Sequence, residues 1–418
     1  MKDFLNYYQE ELLFLRKRGG SFAKKHPEIA GRLDVKDGES SDPHTERIIE
    51  SVAFMSAKLN QKIDNDAQFL AFHLLSALYP NLVNPFPPCG VIRLDFLNNI
   101  SKVDKVFLPK GTSMFTDAKL EYSCIFQTVY PINLYPIEIT DISLMKTSRN
   151  VNGQCICLKI VTKSVPFEQM DIDDLLFHIN SEIIEDALLL YEAIFSNPQN
   201  IMLLKIGENF EKIDTKDFIP CGFTDNETVC PVHKYTTNTF QLFQEALHFK
   251  RKFMFFRIRN LNKYINNMNV QNIDQISILI DINPSAEKLP EIVKFGSIII
   301  NAVPIVNLFK VTSDPFRFNG TKNKYLLIAD QSRDRSVEIH SITDLKMIDS
   351  NTQETQTIQP YFSLAIDSDT NTIHDLFWVY TKESSEIRGL NGSDIYISLV
   401  DTNMNPEAVY SNIVYATT

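Results

Sequence analysis

Asp42, His44 and Glu46 crowd the start of "DPHTERIIESVAF" (residues 42–54), and the three side chains together could bind a divalent metal or move a proton. Within one helical turn, however, three such groups cannot converge on an ion without donors from elsewhere in the chain. Cys155 and Cys157 in "QCICLKIV" share one face of a strand, and Cys230 and His233 in "CPVH" offer a second thiol and imidazole pair. Neither pair has the spacing of a zinc knuckle, and buried reduced thiols are common. Asp173 and Asp174 could serve as acid and base only in a pocket that raised one of their pKa values, so the surface reading stands. The eight histidines are scattered singly and the 13 glycines form no GxGxxG, Walker A or GxSxG turn. His73, set among Phe69, Phe72 and Leu74, reads as a core histidine. No catalytic, cofactor-binding or metal-binding residue is therefore assigned, and no cofactor is expected.

Ordinary helix physics accounts for the 42–54 cluster. Asp42 suits an N-cap, because its carboxylate can accept the free N–H groups of the first turn, and Pro43 at N1 needs no N–H partner. Glu46 and Glu50 lie toward the N-terminal half and Lys58 and Lys62 toward the C-terminal end, the order a helix dipole favours. Ile48, Val52, Met55, Leu59 and Ile63 recur at helical spacing and form one apolar stripe, which must be buried against the chain's own helices or a partner's.

A chain of 418 residues exceeds one ordinary core, and its 44% hydrophobic and 22% charged residues match globular usage. A net charge of −11 opposes a phosphate backbone, so no nucleic-acid partner is expected. No apolar stretch is long and uninterrupted enough to span a bilayer, and six cysteines in so long a chain do not form a secreted disulfide framework, so the chain is expected in the cytosol.

The fold class expected is α+β: an N-terminal helical region followed by β-rich domains with a few inserted helices. Residues 1–79 read as helical, with a first segment carrying Leu5, Tyr8, Leu12 and Leu15 on one face and a break near Gly19–Gly20. A second helix covers 42–64, and a third, apolar around most of its circumference, follows from 65 to 79. Four prolines between Pro80 and Pro88 then hold the chain extended. Beyond them come short β-prone runs, among them "CICLKIVT", "QISILIDI", "VEIHSI" and "DIYISLV", interrupted by helices near 181–195 and 239–249. The division expected is a helical assembly region at 1–88, a β-rich middle domain at 89–290 and a β-rich C-terminal domain at 291–418.

The strings "DPHTERIIESVAFMSAKLNQKIDND" through "LLSALYPNLVNPFPP" resemble the N-terminal signature of the TssF (VasA/ImpG) family, wedge subunits of the type VI secretion baseplate. The resemblance continues through "CIFQTVYPINLYPIEI", through "CGFTDNETVCPVHKYTTNTFQLFQEALHFKRKFMFF" and into "NAVPIVNLFKVTSDPFRF", so that it spans almost the whole chain. It implies that Asp42, Pro43, Arg47 and Glu50 define a helix start, and that Tyr79, Pro80, Pro85 and Pro87 define the turn into the β region. Gln244, Glu245 and Phe249 would sit in the helix before the "KFMFF" strand, and Pro304, Asn307, Leu308, Phe309, Asp314 and Pro315 in a later linker block. All would be scaffold residues. Ala246, Leu247 and Lys250 depart from the family pattern, which has aromatic residues and a proline there. Relatives also continue past the point matching "YSNIVYATT", so 291–418 is expected to be incomplete relative to the family.

The function so implied is structural: a wedge component that assembles with a TssG-like subunit and a second copy of itself, and recruits TssK-like and TssE-like subunits and a VgrG-like spike hub. Contact with the membrane would be indirect, through the docking complex at the inner face of the inner membrane. Two other classes of function remain open on the residues alone, a hydrolase with a dispersed site and a freestanding adaptor.

Overall fold

A computed structural model describes residues 4–32, 35–36, 39–40, 42–95, 105–117, 123–146, 154–163, 165–196, 202–231, 239–268, 270, 272–282, 288–319, 321–333, 336–348, 353–362, 376–385, 392–406 and 412–418. The fold is α+β, as expected. The chain divides into two compact units, Met1–Val83 with Phe362–Leu364, and Asn84–Tyr361 with Ala365–Thr418.

The first unit is helical. Helix α1 spans Phe4–Lys25, α2 Pro27–Arg32, α3 Pro43–Leu78 and α4 Pro80–Val83, with a two-strand pairing at 35–36 and 39–40 ahead of α3. Bonds from Tyr7 to Asp64, from Asn60 to Glu11 and from Arg16 to Glu46 run along α1 and α3 in antiparallel order. Three expectations are corrected here. First, α1 continues through Gly19–Gly20 without a break, since its neighbour α3 supplies packing that outweighs the helix cost of two glycines. Second, the two helices expected at 42–64 and 65–79 are one helix of 36 residues, about 54 Å long at 1.5 Å per residue, because no Gly or Pro interrupts the joint. Third, Leu5 lies on the outer face of α1 at 54% exposure, whereas Tyr8, Leu12 and Leu15 are half-buried.

In the second unit, the five strands Asn209–Ile213, Met202–Ile206, Gln275–Ile282, Gln154–Thr162 and Ile137–Lys146 form one antiparallel sheet in that order. Cys155, Ile156, Cys157 and Leu158 are all buried, so the interior strand Gln154–Thr162 is covered on both faces, which explains why it reads as a continuous apolar run rather than an alternation. A four-stranded sheet, Phe218–Pro220, Phe255–Arg259, Asp174–Ile179 and Ile298–Ile300, shares a core with it, and helix α5 (Ile184–Phe195) contributes Ala187, Leu190, Ala193 and Ile194 to that core. His178 is buried in the same sheet, its ring stacked on Phe255 at 4.2 Å. Burial lowers its pKa from 6.5 to about 4. The folded state therefore holds this ring neutral, and stability present above pH 6.5 is lost as the unfolded chain takes up a proton on falling toward pH 4. A loss of roughly 3 kcal/mol over that window is expected from this residue, and chemical melts of His178→Leu should show a correspondingly flatter dependence.

A second four-stranded sheet, Cys89–Arg93, Ala302–Val306, Ile125–Thr128 and Ser113–Phe115, joins the pair Val106–Leu108 and Ile132–Leu134 around another core. A seven-stranded sheet, in the order Phe316–Phe318, Asn412–Thr417, Asp344–Ile348, Thr355–Pro360, Phe377–Ser384, Ser393–Val400 and Tyr325–Leu327, holds a core of its own that includes Leu345, Trp378, Ile397 and Val414. The rings of Phe318 and Tyr325, from its two outermost strands, meet tilted by 39° with centroids 4.5 Å apart. The strand expected at "VEIHSI" is absent. Val337–Ile342 is extended without ladder bonds, and pairing begins only at Asp344.

Candidate assembly surface and a buried polar lock

Asp42 caps α3 as its position dictates. Its Oδ1 accepts the His44 N–H at 3.1 Å, its Oδ2 accepts the Thr45 hydroxyl at 2.9 Å, and Pro43 occupies the first turn. These bonds hold the carboxyl below the ordinary carboxylate range, so the cap contributes while Asp42 is ionised and its contribution fades as the pH falls through the acid range. Asp42→Ala should destabilise the helix unit measurably, while Asp42→Asn and Asp42→Ser should lose much less, since both also accept the first-turn N–H. Thermal melts of the three variants give the ranking. A metal or proton-transfer role would instead make Asn and Ser fail with Ala. His44, Arg47 and Glu50 are exposed.

Further along α3, Ala53 and Ala57 are fully buried, and Ala57 lies about 160° around the helix from Leu59 at 100° per residue. The predicted stripe thus faces away from the seam with α1. Ile48 is 64% exposed, Val52 45%, Met55 66%, Leu59 60% and Ile63 63%. The chain's own helices do not cover it, which removes one of the two burials expected. Leu13 and Phe14 of α1 and Leu70 and Leu74 of α3 are also exposed, an apolar load on one helical unit well above scattered surface hydrophobics. At the C-terminal end, Tyr79 is the cap residue of α3, and its N–H donates to the Leu75 carbonyl at 2.7 Å. Pro80 opens α4. His73 is buried, stacked on Phe362 at 4.7 Å, and desolvation lowers its pKa to about 4.

Of the second group of expected residues, Glu245 belongs to a buried polar network, whereas Phe249, expected within the helix, is buried just past its end, where the chain tightens into the turn Lys250–Phe253. Helix α6 (Thr239–His248) places Gln241 and Glu245 one turn apart on its inner face. Glu245 Oε1 accepts the Val229 N–H at 2.9 Å and Gln241 Nε2 at 3.2 Å, while Gln241 Nε2 also donates to the Cys230 carbonyl at 2.7 Å. Glu245 Oε2 accepts from the Lys252 ammonium, and both side chains are fully buried. Lys252 also lies over the Phe253 ring at 4.9 Å, and its carbonyl accepts the Tyr130 hydroxyl at 2.8 Å. Gly222 adopts φ +101°, and a Cβ there would meet the Tyr130 oxygen at 2.9 Å, so only glycine fits the turn. That turn is fixed by Glu227, whose Oε2 accepts the Gly222 N–H at 2.7 Å. The string from Cys221 to Phe253 thus closes on itself. Glu245 and Phe249 entered the sequence reading only through resemblance. Lys252, Gln241, Gly222 and Tyr130 were missed, although the four-residue spacing of Gln241 and Glu245 and a lysine set between aromatic residues in "HFKRKFMFF" were available signals.

The remaining expected residues are dispersed. Pro87 is buried and Pro85 exposed, and both line a cavity of about 800 Å³ together with Asn307, Leu308 and Phe309. Pro304 is not in a linker. It is buried within the strand Ala302–Val306, opposite Val91. Asp174, one of the candidate acid and base pair, accepts from Arg257 Nη1 at 2.8 Å. Among the described residues no three His, Cys, Asp or Glu side chains converge as a metal site, and His233 lies outside them.

A helical hairpin with a long uncovered apolar stripe, in a chain whose β unit is fixed by an internal ion pair, is the construction of a subunit that completes its packing inside a larger assembly. The family model described as "Type VI secretion system, TssF" matches residues 1–418, and the chain belongs to that family. It is similar to the type VI secretion system component TssF1 of Pseudomonas aeruginosa, with 24% identity over 427 residues covering 96% of this chain and 68% of the relative. It also resembles a chain of the TssK-TssF-TssG baseplate subcomplex solved by cryo-electron microscopy, with a TM-score of 0.69 and 20% identity over 89% of this chain and 67% of that one. At that identity the likeness is one of fold.

Proposed function

We propose that the protein is a structural wedge subunit of a type VI secretion baseplate and performs no catalysis. The observation that carries this reading is the uncovered stripe from Ile48 to Ile63, placed opposite the intrachain seam on α3. A helix with one face seated on α1 and an apolar second face suits a multi-helix bundle completed by other chains. The occupants are a TssG-like subunit and a second copy of this chain, an assignment supported by family membership and by the TssK-TssF-TssG complex to which the fold is similar. TssK-like and TssE-like subunits and a spike hub would join the completed wedge. This places the assembled protein in the cytoplasm, against the inner face of the inner membrane through the docking complex. Among the described residues no helix is long and apolar enough to cross a membrane.

Affinity capture of the tagged chain from its native host tests the reading. A TssG-like protein recovered in stoichiometric yield is the expected result. Recovery of the chain alone under gentle lysis would overturn it, and so would a hydrolytic activity that co-purifies with the chain and is abolished by a point substitution in it.

A further inference from the structure

Helix α6 is built inside out. Glu245 and Gln241 are buried on its inner face, while Phe243 and Leu247, each two residues from Glu245 and so about 160° around the helix from it at 100° per residue, are exposed together with Phe240. A surface helix ordinarily turns its apolar face to the core. Here the polar face cannot leave the interior without stranding the buried Lys252 ammonium and releasing the Val229 N–H, so the ion pair holds the apolar face outward.

Charge is divided unevenly around this face. Between Glu227 and Asp274 the only carboxylate is the buried Glu245, and Lys250, just past α6, is exposed. Between Lys163 and Lys205 the opposite holds, with eight aspartates and glutamates and no lysine or arginine. That acidic stretch contains α5, which seats Ala187, Leu190, Ala193 and Ile194 on the core and leaves Glu185, Leu188 and Glu192 exposed, an apolar residue flanked by two carboxylates. Among the described residues Glu185, Glu192 and Lys250 enter no ion pair. The two surfaces adjoin, since Arg251 Nη2, beyond the end of α6, donates to the Glu182 carbonyl, ahead of α5, at 3.0 Å. An apolar face edged by a cation and an apolar face edged by anions suit one another, yet they cannot close together within one molecule, because each helix is seated on the interior through its other side. In a two-fold pair of molecules both contacts form at once, which is the self-complementary arrangement of an isologous dimer.

We infer that α6 and α5 form a self-association surface on which a second copy of this chain docks, Phe243 and Leu247 of one copy meeting Leu188 of the other inside a rim where Lys250 faces Glu185 and Glu192. The contact uses residues other than the α3 stripe, and it stands or falls separately from the wedge reading.

Sedimentation of the full chain tests it. The wild type should show a reversible monomer–dimer equilibrium. Lys250→Glu, and separately Glu185→Lys combined with Glu192→Lys, each set like charges against one another at both contacts of a homodimer, and each should weaken dimerisation by at least about tenfold. Mixed in equal amounts, the two variants should dimerise with each other about as well as the wild type, because every contact of the mixed pair again joins opposite charges. Phe243→Asp, at an exposed position, should melt like the wild type yet lose the same association. A wild-type chain that stays monomeric at about 100 μM would overturn the inference. So would charge variants that dimerise normally, or a mixture that dimerises no better than its components. Association through the α3 stripe does not involve these charges, so none of those results bears on the wedge reading.

Discussion

Lys252→Met should cost about 3–5 kcal/mol of unfolding free energy, because it strands the Glu245 carboxylate in a fully buried site while leaving the side-chain volume nearly unchanged. The Coulomb attraction within the pair is not what the number measures. Two buried charges cost several kcal/mol each to desolvate, and their attraction roughly returns that cost, so the loss comes from leaving one of them alone. Adding Glu245→Gln to Lys252→Met should therefore restore most of the stability. A Gln at 245 is neutral and keeps an oxygen for the Val229 N–H, now held at 2.9 Å by the carboxylate. Urea melts of the two single variants and the double variant decide it. If the double variant is as unstable as the sum of the singles, the pair is not coupled, and the network is not the lock described above.

Leu59→Asp should do the reverse, leaving the isolated protein within about 0.5 kcal/mol of wild type, since Leu59 is 60% exposed, while abolishing capture of the helical partner. Closing a partner's helix over an unpaired carboxylate costs several kcal/mol, which weakens binding by at least about a hundredfold. Lys58→Asp, about 100° around the helix, places the same charge on the surface and should capture normally. An unfolded Leu59→Asp variant would mean that the stripe is covered by the chain itself. A folded variant with undiminished capture would mean that the stripe is not the interface.

The sequence-level reasoning succeeded where one local rule acted alone. Asp42 and Pro43 announce a helix start whatever surrounds them, and the period of Ile48 to Ile63 specifies an apolar face without needing to know its cover. It failed where tertiary packing outvoted a local signal. Gly19–Gly20 looked like a stop, yet α1 runs through it against α3, and "VEIHSI" has strand composition but lines a cavity. Which side the stripe faced was also out of reach, because burial of Ala53 and Ala57 on the other side is a property of the α1 contact. The lock was legible least of all. Glu245 and Lys252 read as charged residues on a helix and in a basic run, and only folding brings Gln241, Val229 and Tyr130 around them.

The contact between Phe318 and Tyr325 bears on crowding. In a machine built from many copies of its parts, an open sheet edge on each copy would be a row of unsatisfied donors and acceptors, ready to pair with the next copy and propagate as an aggregate. Here the two outermost strands of the seven-stranded sheet are only three residues long each, and their aromatic side chains turn the two ends toward one another. Each end of the sheet therefore offers a neighbour only a short run of backbone groups. High local concentration can then be tolerated, and recognition is left to the apolar helix, which is specific where a bare strand edge would be promiscuous.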